Sequence, residues 1–422
     1  MLDINYIRRY PDVVRENLRR RQVPEYLVYL DSLLKTDELW RSLKQKVDQA
    51  RARRNKISQE INEAKKSGKD ASKIIREAAE IPKIIAQAEK ELADLQEKMK
   101  TLLYKIPNLV HQSVPYGRDD TENKVIKTVG KKPSFRFTPL SHVDLMMKNN
   151  WVDLDRAAKI AGARWYFLKG DLAILELALV KYAMDFMRKK GFTPVIPPYM
   201  MSHNAYNGVV SLDDFENVMY KIQGEDLYAI ATSEHPLTAM HMDEVLEERD
   251  LPVKLAGFST NFRKEAGAHG RDQKGIFRVH QFSKVEQIVI CKPEESWHFH
   301  EELLNNAVEF FESLGLHFRV VNVCTGDLGI IAAKKYDLEA WYPVQDAFRE
   351  VVSCSNCTSY QAVRSNIRFQ HGNERLYVHT LNSTCVATTR ALVAIMENFQ
   401  NDDGSVEVPK VLQKYAGFKI MK

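Results

Sequence analysis

A heptad repeat sustained from about residue 37 to residue 105 constrains this chain more than any other feature. In its second half Ile74, Ala78, Ile81, Ile85, Ala88, Leu92, Leu95, Met99 and Leu102 alternate steps of four and three. A helix with that spacing carries a continuous apolar seam, which is unfavourable in water until a second helix covers it. The first half supplies the partner: Leu39, Leu43, Val47, Ala50, Ile57, Ile61 and Ala64 give a matching seam, interrupted at Arg54. Only Ser67-Gly68-Lys69-Asp70 lies between them, a turn that reverses the chain. The pattern predicts an antiparallel coiled coil with about 30 residues per helix, a rod roughly 45 Å long at 1.5 Å per residue. Pro82 is discordant and predicts a kink or a delayed start in the second helix.

Charge on this rod is uneven. Over residues 41–69 Lys and Arg outnumber Asp and Glu ten to three, in a chain whose net charge is only +5. An excess confined to one helix and its tip points to a phosphate backbone as partner, with Arg51, Arg53, Arg54 and Lys56 as candidate contacts. Pro107 and Pro115 then stop helix propagation, and strand and helix patterns mix from there on. The expected organisation is α+β: a helical N-terminal domain, 1–109, carrying the coiled-coil arm, and a domain at 110–422. The second is built on a mainly antiparallel β-sheet flanked by helices. Residues 1–36 read as a short helical unit at the base of the arm.

At 422 residues, 44% hydrophobic and 28% charged, the chain has the composition of a soluble globular protein of more than one domain. No apolar run approaches the roughly 20 residues of a membrane helix. Charges come too early in MLDINYIRRYPDVV for a secretory signal. Five cysteines, an odd number, suit a reducing cytoplasm better than a disulfide framework. Cys354 and Cys357 form a lone C-x-x-C without a second pair at zinc spacing, so they read as structural thiols and no zinc is expected.

The chemistry concentrates in Asn261-Phe262-Arg263-Lys264-Glu265 and in Phe277–Glu286, which flank a basic, glycine-rich loop at Gly267–Gly275. Alternate side chains of a strand share a face. A hairpin would therefore present Arg263 and Glu265 beside His280, Phe282 and Glu286. A guanidinium grips phosphate with a fork of donors, an aromatic ring stacks on a base, and a carboxylate accepts from an amine or hydroxyl. That set suits a nucleotide with an attached charged group.

The order F-R-x-E, loop, R-x-H-Q-F-x-K-x-E resembles motif 2 of the class II aminoacyl-tRNA synthetases, and HQFSKVEQ resembles the seryl-tRNA synthetase branch in particular. The likeness spans the chain in the family's order. Gly191–Pro198 (GFTPVIPP) looks like motif 1, Thr232-Ser233-Glu234 like the T-x-E motif, and Glu350–Ser353 like the metal-holding segment. His379–Arg390 is similar to motif 3, with Ser383, Thr384 and Thr389 closer to the archaeal and eukaryotic wording than to the bacterial one. The arm at 37–105 resembles the family's tRNA-gripping coiled coil.

The resemblance implies a site. Thr232, Ser233 and Glu234 would bind the amino group of L-serine, with Arg263, Glu286, Asn382 and Thr384 completing its pocket. Arg263 would hold the α-phosphate of ATP beside Lys264, Glu265 would read the adenine amine, and Phe282 would stack on the ring over a backbone contact from Val279. Glu350, Val351, Val352 and Ser353 would border the phosphates, Glu350 and Ser353 holding Mg²⁺ through hard oxygens. Arg390 would contact the triphosphate and, with Arg263, provide the catalytic charge. The implied partners are tRNA(Ser), leaving tRNA(Sec) open, and a second copy of the chain in a homodimer. Two alternatives stand beside this: an amino acid:carrier-protein ligase, which would lack the arm, and an inactive tRNA-binding paralogue. The presence of Arg263, Glu265, Glu286, Glu350 and Arg390 counts against the paralogue.

Overall fold

The computed structural model describes residues 1–68, 70–210, 216–265 and 274–422; Lys69 and the loop residues Gly267–Gln273 lie outside the described residues. The chain divides into two compact units, Leu2–Pro107 and Asn108–Lys422, the second also taking Met1.

The first unit is helical throughout: α1 (Ile4–Arg9), α2 (Pro11–Arg19), α3 (Glu25–Lys66) and α4 (Ser72–Lys105). The two long helices have 42 and 34 residues, about 63 and 51 Å at the standard rise. The first of them starts at Glu25 rather than near residue 37. Its leading turns bury Leu30, Leu33, Thr36 and Asp37, and α2 packs against α3. Buried Asp37 receives Arg8 at 2.6 Å and Arg41 at 2.9 Å. With no glycine or proline between Glu25 and Lys66 to stop it, one helix serves both the small N-terminal bundle and the rod.

The seam is close to the heptad reading. Val47, Ile57, Ile81, Ile85 and Ala88 form its buried centre, with Leu43, Ala50, Ile61, Ile74, Ala78 and Leu92 at the edges. Leu39 departs from it at 54% exposed. Near the end of α4, Leu103 is buried and Leu102 only half-buried, the drift of a helix with 3.6 residues per turn against a repeat of 3.5. The second helix does not start late at Pro82: α4 runs unbroken from Ser72 to Lys105 with Pro82 exposed. A proline there gives up one backbone hydrogen bond, a cost that the packed seam on the opposite side offsets. Across the rod Arg53 reaches Glu77 at 2.7 Å and Arg51 reaches Glu89 at 2.6 Å. Arg54 and Lys56 make no ion pair among the described residues.

The second unit is organised by an eight-stranded sheet. In chain order its strands are β1 (Lys124–Val129), β2 (Thr193–Val195), β3 (Val253–Phe262), β4 (Gln281–Cys291), β5 (Phe318–Asn322), β6 (Lys334–Tyr342), β7 (Ala347–Asn356) and β8 (His379–Ala387). In space they run β1-β5-β6-β7-β8-β4-β3-β2, and every pair is antiparallel except β2 with β3. Five helices matter for the site: α5 (Gly170–Lys189), α6 (Glu234–Ala239), α7 (Ser296–Ser313), α8 (Tyr360–Ser365) and α9 (Thr388–Asn398). The apolar stripes of α5, α7 and α9 bury against one face of the sheet, with Leu172, Leu175, Leu179, Leu303, Phe310 and Ile395 fully enclosed. Each such side chain contributes about 1.5–3 kcal/mol by leaving water. Strand alternation does the rest: Val285, Val289 and Cys291 of β4 point into this core, so the even-numbered residues of β4 point away from it.

Candidate active site

On that other face lies a cavity of about 570 Å³. Phe282, Lys284 and Glu286 line it at alternate positions of β4, opposite Asn382 and Thr384 of β8, and Ser353 and Ser355 of β7. Two β-bulges make the set possible. In the β6–β7 pair Glu339 faces Glu350 and Leu338 faces Val352, leaving Val351 as an extra residue. A regular strand would put Glu350 and Ser353, three apart, on opposite faces; the extra residue rephases the strand so that both line the cavity. In the β4–β8 pair Thr384 faces Glu286 and Val386 faces Val285, with Cys385 extra. That bulge carries Ala387, and beyond it Thr389 and Arg390, back to the cavity wall.

Of the catalytic-unit residues expected in the site, all but Ser233, Lys264 and Val352 line this cavity. Ser233 is fully buried and its Oγ donates to the Gly257 carbonyl at 3.1 Å, so its side chain packs α6 onto β3. Lys264 is exposed, with its ammonium 5.9 Å from the Tyr220 ring centre. Val352 lies on the core side of β7 because of the bulge just before it. His280 also departs from expectation. It precedes β4, its Nδ1 lies 2.8 Å from the Arg263 carbonyl oxygen and 2.9 Å from the Tyr220 hydroxyl, and its ring stacks on Trp165. Its role is to close the end of the hairpin. Glu265, at φ 47°, has left the strand, so it reaches the cavity through a coiled backbone rather than by alternation with Arg263.

The end of the cavity beside α6 depends on a close approach. Gly257 of β3 pairs with Glu286, and a Cβ there would come within 2.4 Å of Leu237 and 2.9 Å of Ser233. Only glycine lets α6 lie close enough for Glu234 to line the cavity. Thr232 Oγ1 accepts from the Glu234 N–H at 3.2 Å and fixes the turn into α6.

Buried charge of both signs meets here. The Lys284 ammonium is 2.5 Å from Glu286. Burial pushes the Glu286 carboxyl up, opposed by Lys284, by the hydroxyl of Thr384 and by Arg263. Burial and the nearby Glu286 push the Glu234 carboxyl up to about 7, against the pull of Lys284, Gln361 and Arg263. Burial, then Arg390, draws Arg263 down from its ordinary value, while Glu265, Glu350 and Glu286 draw it up; a guanidinium stays charged regardless. Arg263 donates Nε to the Ala231 carbonyl at 3.2 Å and lies 5.2 Å from the centre of the Phe282 ring. Arg390 donates to the Glu350 carbonyl at 2.8 Å and sits 5.4 Å from the Phe277 ring centre. Burial disfavours the Glu350 charge, but Arg390, Lys335, Arg263 and Lys284 outweigh it and hold the carboxyl below its usual range.

Three participants escaped the motif reading. Lys284 was legible by alternation, standing between Phe282 and Glu286. Lys335 lines the cavity from β6, paired with buried Asp337 at 3.4 Å, and nothing local to its sequence marks it. Gln361 of α8 donates to Glu234 at 3.0 Å from 127 residues away.

Residues 218–399 match the family model of the tRNA synthetase class II core domain (G, H, P, S and T), and residues 1–110 match that of the seryl-tRNA synthetase N-terminal domain. The chain is 54% identical to the serine–tRNA ligase of Methanoregula boonei over 98% of both chains. It is 53% identical to that of Archaeoglobus fulgidus over 97% of this chain and 94% of the other. A crystal structure of seryl-tRNA synthetase from Pyrococcus horikoshii complexed with ATP superposes with a TM-score of 0.96 at 47% identity, covering 100% and 99% of the two chains. The cytoplasmic serine–tRNA ligase from Naegleria fowleri in complex with AMP gives 0.91 at 36%, with the same coverage. The likeness extends over both units of the chain, and the chain belongs to the seryl-tRNA synthetases, ligases of class II.

Proposed function

We propose that the 570 Å³ cavity is where this serine–tRNA ligase joins L-serine to ATP and then passes the seryl group to the 3′ end of tRNA(Ser). The observation that carries the reading is the convergence of Arg263, Arg390, Glu234, Glu286 and Phe282 on one cavity. The Glu234 carboxylate binds the serine ammonium, with Thr232 beside it. Glu286, paired with Lys284, accepts from the serine hydroxyl opposite Thr384. Phe282 stacks on adenine, Glu265 reads its amine, and Arg263 and Arg390 grip the phosphates.

The serine carboxylate oxygen attacks the α-phosphorus in line, the bond to the bridging oxygen breaks, and pyrophosphate leaves with that electron pair. Charge builds on the phosphoryl oxygens, and the two guanidinium groups that line the cavity would neutralise it there. The terminal tRNA hydroxyl then attacks the seryl carbonyl and AMP leaves. Glu350 and Ser353 fit Mg²⁺: the bulge at Val351 turns both oxygens to the cavity, and in neighbouring Asp337 one buried oxygen, Oδ1, has no hydrogen-bond partner. No three His, Cys, Asp or Glu cluster as a metal site among the described residues, so ATP phosphates would complete the shell. What the ion supplies there is neutralisation of phosphate charge.

The alternatives lose ground: a carrier-protein ligase lacks the N-terminal domain, which is matched here, and full-length relatives named as ligases leave an inactive paralogue unsupported. No helix among the described residues is long and apolar enough to cross a membrane, and we place the enzyme in the cytoplasm. Serine-dependent exchange of labelled pyrophosphate into ATP tests the activation step. No exchange by a folded protein would reject it.

The rod supplies the grip on tRNA in this reading. Because the leading turns of α3 belong to the N-terminal bundle, the clean cut is residues 44–96. Replacing them with a short linker is expected to leave exchange near wild type and abolish tRNA charging. Arg51 and Arg53 already bind carboxylates of α4, so Arg54→Glu with Lys56→Glu is the sharper probe. It is expected to flatten the salt dependence of tRNA binding by about 0.7–0.9 in log–log slope for each phosphate left without its cation. An unchanged slope would make the rod purely structural.

The enzyme acts as a homodimer in this reading. Ile174 and Leu177 on the outer side of α5, and Ile196 after β2, are 45%, 67% and 70% exposed, an apolar group that a second copy would cover. Light scattering is expected to give about twice 48.7 kDa. A monomer mass at micromolar concentration would refute the dimer.

A further inference from the structure

We infer that Gln361 is a positioning residue for amino-acid binding: its amide aims the Glu234 carboxylate at the serine ammonium. The inference rests on the reading of Glu234 given above. Gln361 is 1% exposed on α8, and both ends of its amide are engaged. Nε2 donates to Glu234 Oε1 at 3.0 Å and to the Val209 carbonyl at 3.3 Å, while Oε1 accepts from the Thr380 hydroxyl at 2.6 Å. The Val209 carbonyl and the Glu234 carboxylate can only accept, so the amide nitrogen faces them and the amide oxygen is left to accept from the Thr380 hydroxyl. No other side chain donates to the Glu234 carboxylate among the described residues. One carboxylate oxygen is therefore held, and the other is left for the cavity that Glu234 lines.

The chemistry explains why a neutral amide belongs there. A carboxylate that binds an ammonium in a water-poor cavity has to be ionised and pointed correctly before the ligand arrives. Several groups face Glu234: Lys284 and Glu286 from β4, Arg263 beyond β3 and Cys357 ahead of α8, while His235 follows it on its own helix. Burial, Arg263 and Lys284 bring His235 down to about 3, so it adds no charge. A lysine in place of Gln361 would neutralise Glu234 and compete with the ammonium. An amide N–H favours the ionised form and fixes its direction without adding a competing cation. Because burial raises the Glu234 carboxyl to about 7, the empty site carries a proton below that pH. The ammonium of serine must displace it, so serine binding strengthens as pH rises through 7.

The test is pyrophosphate exchange from pH 6 to 8.5, with KM for serine and for ATP measured separately. Gln361→Met is expected to raise KM for serine roughly tenfold at pH 7. The midpoint of its pH profile should move up by about one unit, with KM for ATP within about twofold of the parent. Thr380→Val, which removes only the hydroxyl that orients the amide, should shift the same quantities in the same direction by less. It carries the test alone if the methionine variant fails to fold. A serine KM and pH profile superimposable on the parent's in a folded variant would overturn the proposal, as would equal rises in KM for serine and ATP. Glu234→Gln separates the two layers: if it leaves the serine KM unchanged, the reading of Glu234 itself is wrong, whatever Gln361 does.

Discussion

Replacing Glu286 with alanine is expected to lower kcat/KM for serine at least a thousandfold and to collapse the preference for serine over alanine. Glu286 is 1% exposed, is paired with Lys284 at 2.5 Å, and faces Thr384 across the β4–β8 ladder. Serine differs from alanine by one hydroxyl, and a buried carboxylate left without that donor costs about 1–3 kcal/mol or more. Sites built to hydrogen-bond a hydroxyl reject the deoxy analogue by roughly 10⁴-fold, and most of that ratio should vanish with Glu286. Alanine substitution also leaves the Lys284 ammonium buried without its partner, so Glu286→Gln is the necessary companion. It keeps the shape and an acceptor, and should retain part of the discrimination. Thr384→Ser should be mild and Thr384→Ala worse, because only the first keeps the hydroxyl. KM for ATP should move little in all four variants. Undiminished serine-over-alanine selectivity in Glu286→Ala exchange assays would show that other residues read the hydroxyl.

The second large effect is expected at Arg263. Its guanidinium is tethered through Nε to the Ala231 carbonyl and lies between the Phe282 ring and a group of carboxylates. The tether leaves the two terminal nitrogens for the fork on phosphate proposed above, which lysine could not reproduce from a single point. Removing a preorganised donor of this kind costs roughly 10²–10³ in kcat, about 3–4 kcal/mol of transition-state stabilisation. Arg263→Lys should therefore lose at least a hundredfold in single-turnover adenylate formation, and Arg263→Ala more. A loss below tenfold for Arg263→Lys would move the catalytic charge to Arg390. That residue has a different tether, to the Glu350 carbonyl at 2.8 Å and the Glu350 carboxylate at 3.3 Å.

What the sequence alone determined were the features whose cause is local or periodic. Steps of four and three placed the rod, because a seam of Val47, Ile57, Ile81 and Ile85 has to be covered wherever the rest of the chain goes. Period two put Phe282 and Glu286 on one face of β4, and would have added Lys284 had it been followed residue by residue. The order of motifs made Arg263, Glu350 and Arg390 identifiable before any of them had a position.

Tertiary structure decided what depends on neighbours remote in sequence. Glu350 and Ser353 share a cavity only because β7 carries an extra residue against β6, and a bulge leaves no reliable trace in one strand's composition. The early start of α3 depends on what covers Leu30 and Leu33, and the continuity of α4 past Pro82 on a seam that holds the helix together. Ser233 belongs to a T-x-E triplet, yet its hydroxyl is spent on packing α6 against Gly257. The same logic in reverse brings in Gln361, which no motif reading named and which reaches Glu234 across 127 residues of chain. A periodic pattern records which face of an element is covered. The partner that covers it is chosen only when the whole chain has folded.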